Sequence, residues 1–253
     1  MNPRFPRSLA WIWLLGFTAV STGALLIRER IELHHLERAL QPGFDAFGRS
    51  CPELVVLAAG NSVGMLIPVG ALCILSALLL SSVALLRSPR AEFWLRTLLD
   101  TLTALPGFLI ALAFGVFFPP SIGTFLIGAL LLAVPSLTRF FESQLRHLRH
   151  EPYILASEAL GASPLHLWMR HYRPELLRML RAILPFLALR LILLETTLSF
   201  LGLQAAPEHE TWGRLLYQGK DYLLVAPWIL AWASAPLGFT LLSFHLLSRE
   251  EPQ

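Results

Sequence analysis

Cysteine is nearly missing from this 253-residue chain, with Cys51 and Cys73 the only two. One is expected near an outer surface and one inside an apolar run, so a disulfide framework does not organise the fold. Charge is scarce as well. Charged residues make up 15% of the chain against 55% hydrophobic, and the mean hydropathy is +0.60. A soluble domain carries about 25% charged residues, so this composition describes an integral membrane protein. Chemistry-bearing constellations are missing too. No Ser/His/Asp set sits in a recognisable elbow. His34-His35 and His147-x-x-His150 lack the further Cys, His or carboxylate ligands that a metal site needs. Gly213-Arg-Leu-Leu-Tyr-Gln-Gly-Lys220-Asp221 imitates a phosphate loop, but has one residue too many between its glycines and Asp where Ser or Thr would hold magnesium. These gaps predict a chain that is no enzyme, binds no metal or other cofactor and does not itself hydrolyse ATP.

Long apolar runs are what the sequence does have. Crossing roughly 30 Å of hydrocarbon takes about 20 helical residues, and runs of that order lie near 9–27, 62–86, 97–118, 121–138, 183–203 and 225–247. The expected architecture is therefore an all-α, polytopic bundle of about six transmembrane helices. Phe118-Pro119-Pro120-Ser121 leaves room only for a tight turn between the third and fourth. Arg4, Arg7 and the apolar stretch after them imitate a signal peptide. The run continues through Leu25-Leu26-Ile27, however, which predicts an uncleaved anchor.

Basic residues fall unevenly between alternate sides of these runs. One side collects Arg4, Arg7, Arg87, Arg90, Arg96, Arg139, Arg146, Arg149, Arg170, Arg173, Arg178, Arg181 and Arg249. The other holds Arg28, Arg30, Arg38, Arg49, Arg214 and Lys220, the first four interleaved with Glu29, Glu32, Glu37, Asp45 and Glu53. The positive-inside rule then places both termini and the 139–182 loop in the cytoplasm. The basic pI of about 9.2 reflects topology, not nucleic-acid binding.

Within that loop, residues 151–166 read as a helix–turn–helix knob. Pro152 suits a first helical turn, Gly161 the left-handed position past a helix end, and Ser163-Pro164 an N-cap with proline behind it. Tyr153, Ala156 and Leu160 share one face, and an apolar face outside the membrane wants a partner. Polar groups at membrane depth are costly unless they meet a partner or a wet cavity. Glu195, followed by Thr196, Thr197 and Ser199, is the main example, and either a buried contact or a cavity lining accounts for it. Arg190 lies too far round the helix to pair with Glu195. Asp100 is expected to stabilise a helix terminus. Prolines 68, 106, 135, 185, 227 and 236 put potential kinks in most of the runs. Residues 204–224 are too polar to span and are expected to form an external lid or short re-entrant helix that receives a partner protein. Trp212, Leu215, Leu216 and Tyr222 would be its apolar anchors, with Glu208, Glu210, Arg214, Lys220 and Asp221 keeping it wet; the alternative is a lid that packs only on its own bundle.

Four separated stretches resemble the second, C-type, inner-membrane permease of bacterial ATP-binding-cassette importers of the dipeptide/oligopeptide/nickel family. Gly43-x-Asp45-x-x-Gly48-Arg49 is similar to its G-T-D-x-x-G-R. Asp100 with Ala104-Leu105-Pro106-Gly107 is similar to D-x-x-x-A-F-P-G. Tyr153-Ile-Leu-Ala-Ser-Glu-Ala-Leu-Gly-Ala-Ser163, with Arg170-His171 and Pro174, is similar to the coupling loop Y-V-E-A-A-R-A-L-G-A-S followed by R-H-x-L-P-N. Glu195, Leu198-Ser-Phe-Leu-Gly-Leu203, Trp212-Gly213, Gly219, Asp221-Tyr222 and Ala226-Pro-Trp228 form the last and most specific match.

The resemblance implies a permease supplying half of a solute pathway for peptides or related small solutes such as nickel chelates. Its implied partners are membrane lipid, a second homologous permease, two cytoplasmic ATPase subunits that hold ATP and Mg, and a periplasmic or lipid-anchored solute-binding protein. It implies an ATPase-coupling segment of Tyr153, Ala156, Ser157, Glu158, Ala159, Leu160, Gly161, Ala162, Ser163, Arg170, His171 and Pro174. Asp100, Glu195, Thr196 and Ser199 are pathway candidates, and Trp212, Gly213, Arg214, Lys220, Asp221 and Tyr222 form the external lid. The chain then divides into an anchor and external loop (1–60), a permease core (61–247) and a short tail (248–253). Departures are concentrated in the coupling loop, where the family's glutamate falls at Leu155, its next alanine at Ser157 and its L-P-N at Arg173-Pro174-Glu175. A degenerate structural or regulatory membrane subunit is the alternative that such departures fit.

Overall fold

The computed structural model describes residues 4–25, 39–82, 89–104, 106–203 and 209–248, which are predominantly helical. Arg28–Arg38 with His34-His35, Arg87, Leu105, the lid residues 204–208 and the tail from Arg249 lie outside the described residues. The helices are α1 (Arg4–Leu25), α2 (Cys51–Ser82), α3 (Pro89–Ala104), α4 (Gly107–Phe117), α5 (Ile122–Arg149), α6 (Pro152–Ala159) and α7 (Pro164–Leu167). A π turn (Trp168–Tyr172) leads into α8 (Arg173–Phe200), followed by α9 (Trp212–Lys220) and α10 (Pro227–Ser248). Among the described residues the only β pairing is an isolated bridge between Phe44 and Ser50.

Each of the six apolar runs falls on a helix, with two corrections. The second helix begins at Cys51, well before its apolar run. The third run is broken at Pro106 into α3 and α4, which are bent by 72°. Proline has no N–H for the helical ladder and disfavours helix in the residue before it, so a break there is the expected response. By length and hydropathy α2, α5 and α10 are each able to cross a membrane, and the bent α3–α4 pair adds a fourth candidate. The apolar part of α1, Ser8–Gly23, is shorter.

Local chemistry sets the other boundaries. Ser121 caps α5 by accepting from the Thr124 N–H at 3.1 Å, after the expected proline turn. α8 stops at Gly202 (φ +83°), with Gly202 N–H donating to Ser199 and Leu203 N–H to Leu198. That Schellman closure accounts for the glycine of the Leu198–Leu203 motif. α4 lies against α5 through small residues: a Cβ on Gly107 would meet the Leu132 Cα at 3.1 Å, and one on Gly128 the Ala111 Cβ at 3.1 Å.

The main core runs through α2, α5 and α8, centred on Ala58, Cys73, Ala133, Phe141 and Leu191. Cys51 and Cys73 are both buried and free. The start of α1 packs on the end of α10, where Ala10, Leu14 and Leu247 cluster. At the other end of α10, Ile229 and Ala226 meet Cys51. The molecule therefore has a lid end, with the 39–50 loop, α9 and the starts of α2 and α10, and a knob end, with α6 and α7.

Candidate functional site

The knob is built as its sequence predicts. Pro152 opens α6 behind an extended Glu151. At the other end Gly161 N–H donates to Glu158 and Ala162 N–H to Ser157, with Gly161 at φ +81°, a Schellman closure that needs the left-handed residue. Ser163 Oγ then accepts from the His166 N–H at 3.2 Å and starts α7. The sequence reading missed the residue that holds the knob down. Ile154 is completely buried and joins the main core, an anchor of about 2 kcal/mol. Its signal was present, because it lies a half turn away from the Tyr153–Ala156–Leu160 face.

That face is open. Leu160 is 88% exposed and Tyr153 and Leu155 about half exposed. Ala156, Glu158, Ala159, Gly161 and Ser163 are exposed too, whereas Ser157 and Ala162 are half-buried. Leu155, where the family has glutamate, therefore adds apolar surface to the knob. His171 supports α6 from below, its ring 5.4 Å from that of Tyr153 and its Nε2 3.4 Å from Ser157 Oγ. Burial, reinforced by Glu151 and Glu175, pushes the Tyr153 pKa up and keeps its hydroxyl neutral. Arg170 and Pro174 are exposed on the π turn and the first turn of α8. Pro174 offers no N–H to the Arg170 carbonyl, and the chain widens into the π turn just before it. Glu142, unremarked in the sequence, is buried near the knob between Arg146 at 2.7 Å and Arg96 at 3.5 Å. His147 lies 3.3 Å from Glu151.

At the lid end the G-x-D-x-x-G-R motif forms a socket. Gly43 and Gly48 take positive φ, and Asp45 Oδ1 accepts from the N–H groups of Phe47 and Arg49. Arg49 then bridges Asp45 and Glu210, at 2.7 Å from each, and donates to Gln218 at 3.2 Å. Burial works against this guanidinium, but its bonds to Glu210 and Asp45 outweigh that and raise its pKa. Asn61 and Trp228 complete the tie, donating to the carbonyls of Glu210 and Phe44. Fixed this way, α9 lies flat on the bundle. Trp212 and Leu215 are buried, with Trp212 stacked 5.8 Å from Phe17. A Cβ on Gly213 would fall 2.5 Å from Ser199 Cβ and 2.6 Å from the Thr196 carbonyl, and one on Gly219 3.3 Å from the Leu230 N on α10.

Two expectations change. Trp212 and Leu215 anchor the lid to its own bundle and offer no apolar surface to a partner, because Gly213 and Gly219 let α9 sink between α8 and α10. The outward surface is instead Lys220, whose Nζ lies 3.9 Å from the Tyr217 ring centroid, with Asp221, Leu223, Leu224 and Val225, while Tyr222 is half-buried. Arg214 is engaged with Glu210 at 3.4 Å. The pathway candidates also separate. Glu195, Thr196 and Ser199 are buried together beneath Gly213, outside the linings of the two larger cavities beside α2. Glu195 Oε1 accepts from Ser199 Oγ at 2.8 Å, and Oε2 has no hydrogen bond among the described residues. Arg190 instead donates to the Leu132 carbonyl at 3.2 Å. Asp100 lies far from them at the end of α3, where the helix dipole disfavours an acid, and is held by Arg139 at 2.5 Å.

Comparisons with known proteins identify the family. Residues 62–248 match the family described as binding-protein-dependent transport system inner membrane component. A peptide transport system permease protein of Brucella suis is 31% identical over 225 residues, covering 88% of this chain and 75% of that protein. A counterpart from Brucella abortus matches to the same extent. The glutathione transport system permease protein GsiD of Escherichia coli is 28% identical over 151 residues, 58% of this chain and 49% of that protein. The chain thus belongs to the binding-protein-dependent transport system inner membrane component family, as a multi-pass membrane permease of the ATP-binding-cassette type.

Proposed function

We propose that this permease imports peptides or related small solutes, seated in the bacterial inner membrane with both termini and the α6–α7 knob in the cytoplasm. The proposed complex contains a second homologous permease, two cytoplasmic ATPase subunits and a solute-binding protein on the outer side, with ATP and Mg bound by the ATPases. The observation carrying this reading is the knob itself, a rigidly anchored helix that turns Tyr153, Leu155, Ala156, Ala159 and Leu160 outward. Exposed apolar side chains on so short and well-fixed an element suit a groove on an ATPase subunit. When the ATPases close on ATP the knobs are drawn together, and the bundle rocks from one access state to the other. Lid movement in that cycle bares Glu195, Thr196 and Ser199 to the pathway. The binding protein meets Lys220, Asp221 and the exposed Leu223–Val225 rim.

Leu160→Asp tests the docking without disturbing the fold, since Leu160 packs on so little of its own chain. The variant is expected to insert and fold normally, lose at least tenfold in ATPase co-purification and stop transport. Gly161→Val probes the helix stop, where a side chain in the left-handed region costs about 1–2 kcal/mol. Unchanged co-purification and peptide uptake in both variants would remove the knob as the coupling surface.

A further inference from the structure

A slot of about 340 Å³ lies inside the bundle, walled by Phe17 of α1, Val63 and Ile67 of α2, Leu184 and Ala188 of α8 and Phe244 of α10. Its two threonines, Thr18 and Thr240, spend their hydroxyl hydrogens on carbonyls of their own helices, those of Leu14 at 2.7 Å and Pro236 at 2.8 Å. Phe17 stacks on Trp212 and marks the lid end of the slot. Along α2 the lining runs from Val63 to Ile74, about 16 Å of helix. That is half of the roughly 30 Å hydrocarbon core, the depth of one leaflet. A spanning helix from another subunit needs the whole depth, whereas an acyl chain needs only its own leaflet. The slot opens where Ile67, Ala71 and Leu184 are exposed.

An independent observation is electrostatic. Arg181 precedes Leu184, Ala188 and Ile192 at i, i+3, i+7 and i+11, so it shares the helix face that lines the slot and stands one turn beyond it on the knob side. Its side chain is exposed and makes no hydrogen bond or ion pair among the described residues. The neighbouring Arg178, by contrast, is held by Glu175 at 2.6 Å. An apolar slot of one-leaflet length, with an unspent guanidinium at its end, has the two halves of a phospholipid site.

We propose that the slot holds one acyl chain of a phospholipid from the leaflet on the knob side, with Arg181 on the lipid phosphate. The guanidinium fork matches phosphate oxygens and favours headgroups of net negative charge. The acyl chain supplies packing that α1, α2, α8 and α10 do not give one another beneath the lid.

The test uses the complete transporter in phosphatidylcholine vesicles carrying a trace of phosphatidylglycerol with a diazirine on its acyl chain. After illumination, label is expected on the half-buried Phe17 and Phe244 as well as on the exposed Ile67 and Leu184. Ala71→Trp, which fills the mouth, is expected to cut the label on Phe17 and Phe244 at least fivefold. Arg181→Gln is expected to lower labelling by the phosphatidylglycerol probe about fivefold, and to leave labelling by a phosphatidylcholine probe nearly unchanged. Label confined to Ile67 and Leu184, as on any lipid-facing surface, overturns the lipid site, and this wild-type result needs no variant to fold. Equal labelling by the two probes before and after Arg181→Gln overturns the phosphate contact. Crosslinking of Leu184→Cys to the second permease in place of lipid makes the slot a subunit contact and also overturns the site. Labelling needs neither transport nor ATP, so its outcome is separate from that of the importer reading.

Discussion

Gly213 has no room for even one methyl group, since both the side chain and the backbone of α8 stand within 3 Å of where it would go. Neither neighbour is a flexible side-chain tip, so Gly213→Ala is expected to lower stability by about 1–3 kcal/mol. Gly238→Ala, whose added carbon meets open space, serves as the control in thermal unfolding of the detergent-solubilised protein. Equal midpoints for the two variants would dissolve the proposed close contact. Glu195→Gln keeps an acceptor for Ser199 and is expected to assemble normally, whereas Glu195→Leu leaves the Ser199 hydroxyl without its partner and is expected to reduce folded yield. Single residues were legible in the sequence wherever their role was local. The positive φ of Gly161 and the Ser163 cap follow from neighbours two or three positions away. The pairing of Glu142 with Arg146 four residues on is local, but its burial and its second contact to Arg96 on another helix were not legible, nor was the role of Gly213, which the α8 backbone fixes.

Helix positions were legible where apolar periodicity and proline turns agree, as for α5 and the Phe118–Ser121 connection. The break at Pro106 was visible only as a potential kink, because hydropathy alone does not distinguish one span from two helices meeting at an angle. The lid helix is the instructive case. Its existence followed from polarity and length, but its inward face did not, since Trp212 and Leu215 suit a partner surface and a core equally well. Gly213 and Gly219 let that face sink inward, and the clamp that Arg49 places on Glu210 and Gln218 ties it down. Arg49→Ala takes the ion-pair partner from Asp45 and the closer of two from Glu210, which keeps Arg214 at 3.4 Å, a change worth about 1–3 kcal/mol, and is expected to speed amide exchange across α9. The apolar pair Arg49→Met with Glu210→Leu should recover part of that protection. Exchange unaltered by Arg49→Ala would mean that packing of Gly213 and Gly219 holds α9 without the ion pairs.

At the scale of the whole molecule, the start of α1 and the end of α10 meet at one end, and the lid and socket occupy the other. On the proposed import cycle, lid movement bares the residues beneath α9. A cysteine at Ser199 is therefore expected to resist a water-soluble thiol reagent in the resting complex and to react when the ATPases are trapped with ATP. Protection in every nucleotide state would confine Ser199 to a structural role. The Arg49 clamp also imposes an order on synthesis. Glu210 follows Arg49 by 161 residues, so at about 5–20 residues per second the arginine waits roughly 8–30 s on the ribosome for it. In that interval Asp45 alone neutralises it, through a turn closed by the N–H groups of Phe47 and Arg49. The nascent loop thus carries its own provisional counter-ion, and a chain halted before α9 would still insert with a finished socket waiting for its latch.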